Sequence, residues 1–472
     1  MVQALFKWLV IALFSVVVLV AGWKTFLFDE AALRQQISEE VKLSSGHALE
    51  INQPLELSLL PILSLATDEI RLKRKGQPEV VVEGLYAEIA MMPLLSQQLV
   101  LSQLQAKVDG ALWQGSARAE PQGESARVRF DLQGEQLDLD RYLPKSEQGA
   151  AADPVAGSAA GIVQLPLEPL RALDLQGQIR LGKLLMAGAE ITDITLKMRA
   201  KEGVIDVGPM DAQLYGGDYK SSMQADLQGA LPKVSLDESL QEVDLGSLVR
   251  AVSEVESIRG QLFATAQLSA TGVETGALIE SLNGNVKVVV KEGAIIGFNL
   301  NRVIRQGKAL IEGKAPAEDN EPNETRFDDL KASLRVEQGR LTTKDLMIET
   351  SVMVLNGAGW IELSSQMVDY RLTAQVHEEM EKLRGSGLEK FAGQSFPIEI
   401  KGLLSEPKIK ADIKEIVKAS LRKKLQDKIG AKMKQLLGKH QQEESGNGAQ
   451  SATESPKEQL KKNFGNMLQK LF

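Results

Sequence analysis

The chain has 472 residues, of which 43% are hydrophobic and 25% charged, so it can bury a sizeable core and wholesale disorder is excluded. Its 63 acidic residues outnumber its 55 basic ones, and the formal net charge of −8 argues against an extensive nucleic-acid-binding surface. The absence of cysteine excludes disulfides, iron–sulfur clusters, thiolate zinc sites and cysteine nucleophiles.

An apolar segment near the N-terminus predicts a membrane anchor. The uncharged run extends from Trp8 to Trp23 between two lysines, and its apolar character continues to Phe28. A bilayer core of about 30 Å needs roughly 20 residues, which this span supplies if the flanking lysines reach outward to the headgroups. Tryptophans at both edges suit the headgroup level. The residues that mark the anchor are Trp8, Leu13, Val18 and Trp23.

A cleaved signal peptide is the alternative interpretation of this segment. Cleavage needs small residues after the apolar region, and Val20-Ala21-Gly22 meets that requirement poorly. Lys7 before the span and Asp29 after it favour a cytoplasmic N-terminus. We therefore expect a single-pass inner-membrane protein with the bulk of its chain in the periplasm, because no other stretch approaches this length.

Short segments of alternating hydrophobicity follow a predicted helix over residues 30–43. Leu55, Leu57 and Leu59 alternate with polar residues, and the same period of two recurs as far as Ile400. Glycine, proline or charged pairs separate these segments, as expected of strands joined by tight turns. Helical patterns within this body are confined to the regions of residues 244–255 and 300–310. The sequence therefore predicts a mainly β protein.

A degenerate repeat is visible within the predicted strands. In three places an alternating strand leads into a glycine, at Gly203, Gly293 and Gly339, and a second strand follows. Glycine accepts the positive φ of a tight turn without strain, so each copy predicts a hairpin. Repetition of one unit favours an elongated stack, although any antiparallel meander can produce such likeness by coincidence. We favour repetition because the Lys-Glu-Gly turn recurs with its flanking pattern.

The C-terminal segment has a different pattern. Residues 412–438 carry apolar side chains at helical spacing, opposite a basic face that includes Lys418, Arg422 and Lys428. A second amphipathic helix follows a polar stretch. The basic helix has three possible roles: it can lie on an anionic membrane surface, cap the end of a β stack, or dock on a partner helix.

The sequence contains no recognisable catalytic or cofactor site. Its three histidines, His47, His377 and His440, lie in separate segments, and none has a histidine or cysteine at ligand spacing. The motifs of phosphate-binding loops, dinucleotide-binding turns and nucleophile elbows do not occur. We therefore expect no enzyme activity, no cofactor and no metal.

Three passages carry a likeness to a known family. The first comprises Gly46–Leu65 and Met92–Ser96, the second Leu214–Gly260, and the third and most specific Ser281–Arg302. Together they resemble the AsmA family of inner-membrane-anchored periplasmic proteins, and the likeness extends over most of the chain. His47 departs from the family pattern, which usually has arginine there, and the chain is short for the group.

The resemblance implies a curled β-sheet groove related to bridge-like lipid-transfer proteins. It also implies roles in phospholipid supply to the outer membrane and in outer-membrane protein assembly. We therefore expect an elongated, curled antiparallel sheet that forms an apolar groove. The expected partners are phospholipids, the inner membrane, and the outer membrane or its assembly factors, without nucleic acid. The candidate groove-lining residues are Leu55, Leu57, Leu59, Val286, Val288, Val290, Leu334 and Val336.

The predicted division of the chain follows from these patterns. Its segments are a cytoplasmic tip and anchor (1–28), an N-terminal AsmA-like β region (29–143), a linker (144–161), a C-terminal AsmA-like β region (162–411), and amphipathic helices (412–472) that include a linker at 440–455. An assembly scaffold or chaperone is the main alternative to a lipid conduit, and it would bind proteins without stoichiometric lipid. An envelope enzyme would need clustered polar residues.

The anchor should be retained in the mature protein, because the cleavage site is poor and tryptophans bracket the span. Intact mass or N-terminal sequencing of the membrane-extracted protein should give an N-terminus before Trp8. A chain that starts at Trp23 or later would identify the segment as a cleaved signal peptide.

The basic C-terminal helix should contribute to attachment at an anionic membrane surface, where each basic residue is worth about 1 kcal/mol before salt screening. Replacing Lys418, Arg422 and Lys428 with glutamate should weaken liposome binding by the isolated segment in low salt. Unchanged binding would favour the capping role instead.

Overall fold

A computed structural model describes the central part of the chain. The described residues are 35, 38–39, 48–51, 53–58, 62–73, 79–94, 96, 98–122, 125–142, 167–253, 257–311, 321–386 and 388–411. The predicted anchor, nearly all of the predicted helix over 30–43, the 144–161 linker and the C-terminal helices lie outside them. Within the described residues, no helix has both the length and the apolar character needed to cross a bilayer.

Strands dominate the described chain, as the period-two pattern predicts. The first ten strands are β1 (Ala48–Ile51), β2 (Glu56–Ser58), β3 (Leu63–Lys73), β4 (Val80–Ile89), β5 (Leu99–Val108), β6 (Ala111–Gln122), β7 (Ser125–Asp138), β8 (Asp174–Met186), β9 (Ala189–Lys201) and β10 (Val204–Leu214). The next ten are β11 (Gly217–Asp226), β12 (Lys233–Asp244), β13 (Ile258–Thr271), β14 (Asn283–Ile296), β15 (Glu324–Glu337), β16 (Arg340–Glu349), β17 (Met353–Glu362), β18 (Met367–Val376), β19 (Ser395–Leu403) and β20 (Glu406–Ala411).

All twenty strands belong to one sheet, in which pairing follows chain order. Strands β1 and β2 both pair with β3, and from β3 onward each strand pairs with the next. The sheet is continuous across the junction of the two predicted β regions, because β7 and β8 are hydrogen-bonded to each other. The whole sheet lies between residues 48 and 411.

Short helices occupy several connections between strands. They are α1 (Met91–Leu94), α2 (Leu167–Arg171), α3 (Leu245–Ser253), α4 (Thr275–Glu280), α5 (Leu300–Ile311) and α6 (Met380–Leu383), with a 3-10 turn at Glu389–Phe391. Helices α3 and α5 coincide with the two helical regions that the sequence predicts. Helix α2 packs Leu170 against Ala225 and Leu227 at the end of β11.

Five hairpins turn through two residues, the second of which is glycine. In each pair both residues have positive φ, which is the requirement of a type I′ turn. The pairs are Asp109-Gly110, Ala187-Gly188, Glu202-Gly203, Tyr215-Gly216 and Gln338-Gly339. The hairpins predicted at Gly203 and Gly339 are therefore present.

The prediction of a hairpin at Gly293 is wrong. Strand β14 continues through this position to Ile296, and Glu292 is the residue with positive φ. Gly293 is required for close packing: a Cβ there would lie 2.2 Å from Cζ of Phe327 and 2.6 Å from the Arg259 carbonyl oxygen. The glycine therefore lets an aromatic ring lie on the strand.

The sheet is mixed, which corrects the expectation of an antiparallel one. Strand β7 runs parallel to β8, with Val128 opposite Leu175 and Leu132 opposite Ile179. Every other pairing is antiparallel. A parallel pair needs a connection that returns along the strand, and the residues between β7 and β8 in the sequence include the predicted 144–161 linker. Linker composition alone does not specify the direction of the next strand.

The core lies on one face of this sheet. A continuous cluster of buried side chains extends from β3 to β9: Leu63, Ala87, Leu99, Ala117, Phe130, Leu175 and Ala200. Leu99, Leu101 and Leu175 are each only 2% exposed. At the other end of the sheet, Leu372, Ala374 and Val376 of β18 are buried in the same alternating way.

Replacing Gly359 of β17 with alanine should destabilise this core. A Cβ at that position would lie 2.4 Å from both the Asp369 carbonyl oxygen and Cγ of Tyr370. Overpacking of this kind costs about 1–3 kcal/mol, and it should lower the urea midpoint of unfolding. Ala358→Val on the opposite, exposed side of the same strand is the matched control and should leave the midpoint nearly unchanged. Equal midpoints for the two variants would contradict the packing described here.

Candidate functional site

Strands β11 to β15 carry two neighbouring rows of side chains across the middle of the same face. Directly paired residues share a face, so each row can be followed from strand to strand. The first row is Ser221, Glu238, Ala266, Val286 and Leu334. The second row is Tyr219, Leu240, Ala264, Val288 and Ala332. We call these ten residues the central rows.

The central rows differ from the core on either side in their burial. All of their members are only half-buried. The second row meets the buried Ala212 of β10, and the first row meets the buried Thr343 of β16, whose exposed fractions are 6% and 2%. Met210 of β10, which pairs with Ser221 of the first row, is half-buried. Along the strands, the buried Leu262 and Val290 lie directly beside the strip on one side. On the other side the next row is also half-buried, and the buried Ala225 and Ala270 lie one row beyond it; that half-buried row consists of Met223, Leu236, Leu268 and Gly284. The result is a partly open, mostly apolar strip that has buried side chains along part of its border.

The size of the strip follows from strand spacing. Five strands about 4.8 Å apart give a strip of roughly 19 Å. One leaflet of a bilayer has a hydrocarbon thickness of about 15 Å, half of the full core. The strip is therefore long enough to hold one acyl chain.

Five of the predicted groove residues lie in or beside the central rows. Val286 pairs with Leu334, Val288 with Ala332 and Val290 with Leu330, so the predicted pairing of the two strands is present. Val336 pairs with Gly284 and is buried. The register therefore brings Val286, Val288, Val290, Leu334 and Val336 onto one face, and whether they contact lipid remains a prediction.

The other predicted groove residues lie far along the sheet. Leu57 is in β2 and pairs with Leu65 of β3. Leu55 precedes β2 and is half-buried, and Leu59 lies outside the described residues. Strand β2 pairs only with β3 among the described strands, so these leucines are not brought to the central rows.

The opposite face of the same strands is polar and exposed. Lys287 and Lys291 of β14 and Arg335 of β15 are exposed there. The half-buried Val289 interrupts this polar face, and it pairs with Phe263, whose ring lies 5.0 Å from Nζ of Lys291. An aromatic neighbour and the aliphatic part of a lysine thus accompany the valine that breaks the alternation.

A carboxylate is the only charged group of the central rows. The Tyr219 hydroxyl donates a hydrogen bond to Oε1 of Glu238 over 2.8 Å. Burial raises the pKa of Tyr219 to about 12, with a further contribution from the nearby Glu238 charge, whereas a hydrogen bond with Ser221 acts in the opposite direction. Tyr219 therefore stays protonated at neutral pH and remains a donor.

Sequence analysis missed the residues that β11, β12 and β13 contribute. In β12, Glu238 lies between Leu236 and Leu240 at a position where the alternating pattern calls for an apolar residue, so the pattern is hidden. In β13 the positions of the face are the small residues Ala264 and Ala266, while the larger Phe263 points to the other side. The polar residues at the other alternate positions of β13 could have revealed its apolar face. They are Gln261, Thr265, Gln267 and Ser269.

Comparison with known proteins identifies the family. The family model described as "AsmA family" matches residues 2–114 and 105–346, which is most of the chain. The chain belongs to the AsmA family. It is 22% identical over 328 residues to Protein AsmA of Escherichia coli (strain K12). That match covers 66% of this chain and 53% of the relative, so the chain spans about half the length of the relative it matches. No solved structure matches.

Proposed function

We propose that this AsmA-family chain carries phospholipid acyl chains along the central rows of its sheet. In this proposal the protein is a carrier without enzymatic activity, anchored in the inner membrane by its N-terminal segment. Its sheet lies in the periplasm and supports lipid supply to the outer membrane. The observation that carries the proposal is the half-buried apolar strip in mid-sheet, on the same face as the buried clusters of β3 to β9 and of β18.

Hydrocarbon is the ligand that suits such a strip. Seven of the ten central-row residues are alanine, valine or leucine, and the ring of Tyr219 adds apolar surface. The polar groups of the rows are Ser221, Glu238 and the Tyr219 hydroxyl. Each methylene moved from water onto such a surface gains about 0.8 kcal/mol. Small and aliphatic residues make a smooth surface without pockets, which favours a flexible chain over a ligand of fixed shape.

The alternative physical explanation is an ordinary packed core. In that case the central rows should be as inaccessible as Leu99, Leu101 and Leu175 of the same sheet, which are each 2% exposed. Val286, Val288 and Leu334 instead keep partial exposure although they lie in mid-sheet. A sheet that bends so that this face is concave would hold a chain there, and the curled groove is part of the proposal.

A photoreactive residue at position 288 should crosslink to phospholipid in membranes that contain the full-length protein. The matched control is position 287, which is exposed on the opposite face of the same strand. Mass spectrometry of the crosslinked protein should find lipid adducts at 288 and few at 287, because only the apolar face would contact acyl chains. Lipid adducts of equal yield at both positions would contradict the proposal.

The same experiment separates the lipid carrier from an assembly scaffold. Crosslinks from position 288 to proteins, without lipid adducts, would favour the scaffold for outer-membrane protein assembly. Val288→Asp should expel lipid while circular dichroism and melting stay close to wild type, since an unpaired charge is unfavourable in hydrocarbon. Lys287→Asp is the control and should retain lipid. Loss of folding in Val288→Asp together with absent crosslinks in the wild type would identify a closed core.

A further inference from the structure

Glu238 is placed where a charged side chain is least expected. It lies in the middle of β12, opposite Ser221 of β11 and Ala266 of β13. Leu236 and Leu240 flank it on the same face, and the side chain is half-buried. Burying a carboxylate on an apolar surface is unfavourable unless hydrogen bonds and a counter-charge compensate for the lost water. Among the described residues, the protein supplies Glu238 with one hydrogen bond and no counter-charge.

Protein contacts engage only one oxygen of the carboxylate. Oε1 accepts the hydrogen bond from Tyr219, and among the described residues no donor reaches Oε2 and no lysine or arginine forms an ion pair with Glu238. Other partly buried carboxylates of the sheet do have cationic partners. Glu324 lies 2.6 Å from Arg259, and Glu362 lies 2.7 Å from Arg340.

The oxygens around Glu238 match one kind of ligand group. The carboxylate, the Ser221 hydroxyl and the lone pairs of the Tyr219 hydroxyl offer acceptors close together on the strip. A primary ammonium has three N–H donors and the charge that this carboxylate lacks. We propose that Glu238, Ser221 and Tyr219 bind the primary ammonium of a phospholipid headgroup, such as ethanolamine, while its acyl chains lie along the neighbouring central rows.

This inference rests on the proposed lipid-carrying function and adds headgroup preference to it. A glycerol headgroup brings no positive charge, and the negative phosphate of its lipid would be repelled by Glu238. The central rows contain no cationic residue, so the phosphate of an ethanolamine lipid would stay on the open, solvent-facing side of the strip.

A purely structural role for the same contact makes a different prediction. Tyr219 and Glu238 join β11 to β12, and a glutamine at position 238 would still accept the tyrosine hydrogen bond through its amide oxygen. Glu238→Gln should therefore keep the link between the strands and remove only the negative charge. Asp237→Asn removes a charge from the adjacent residue, which is exposed on the opposite face, and is the matched control.

The test measures which lipid the full-length protein retains. Purified protein is stripped of lipid and incubated with vesicles that contain equal amounts of phosphatidylethanolamine and phosphatidylglycerol with identical acyl chains. Retained lipid is then quantified by mass spectrometry after the protein is re-isolated. Wild type and Asp237→Asn should retain about tenfold more of the ethanolamine lipid, the size expected of one charge-assisted hydrogen bond. Glu238→Gln should retain the two lipids about equally, with the total unchanged.

Two results would overturn the headgroup site and leave acyl-chain carriage standing: equal retention of both lipids by the wild type, or a tenfold preference that persists in Glu238→Gln. Retention of neither lipid by the wild type would instead refute the proposed function and the site with it. If Glu238→Gln lowers the melting temperature, the headgroup site is tested with the wild-type protein alone, by measuring its retention of N-acetylated phosphatidylethanolamine. That lipid has lost the ammonium charge, and its retention should fall to the level of phosphatidylglycerol.

Discussion

Hydrogen bonding between successive strands of a single sheet determines which side chains share a face, and the other features of this protein depend on that register. Extended backbone alternates its side chains with a period of two, so each pairing extends the same alternation to the next strand. From β11 to β15 the register keeps Val286 opposite Leu334 and Ala266 opposite Val286. A slip of one residue in any of these pairs would move the apolar positions to the solvent side.

Glycines maintain this register in two different ways. At the five two-residue hairpins, glycine accepts positive φ and lets one strand return beside the previous one without an offset. Within strands, Gly293 and Gly359 leave room for the rings of Phe327 and Tyr370. The first use keeps the strands aligned, and the second allows large side chains to cover the sheet closely.

The half-buried strip has a consequence for stability as well as for function. A sealed face would gain more from burial of apolar area, as the cluster from β3 to β9 does. Keeping the central rows accessible gives up part of that stabilisation, and the carboxylate of Glu238 gives up more. A ligand that covers the strip and supplies a positive charge would restore both contributions.

Local sequence determined the strands, the tight turns and the membrane-like N-terminal pattern, because each depends on a few neighbouring residues. The pairing of Val286–Val290 with Leu334–Val336 was also predictable, since both strands have uninterrupted alternation on the relevant face. The parallel pairing of β7 with β8, the continuation of β14 past Gly293, and the approach of Tyr219 to Glu238 were decided only by the tertiary structure. Each of these features depends on contacts between residues that are distant in sequence or that lie on adjacent strands. A local sequence pattern does not determine such contacts. The contrast between sealed core and accessible strip has the same origin, because burial is set by what packs over a side chain and not by the side chain itself.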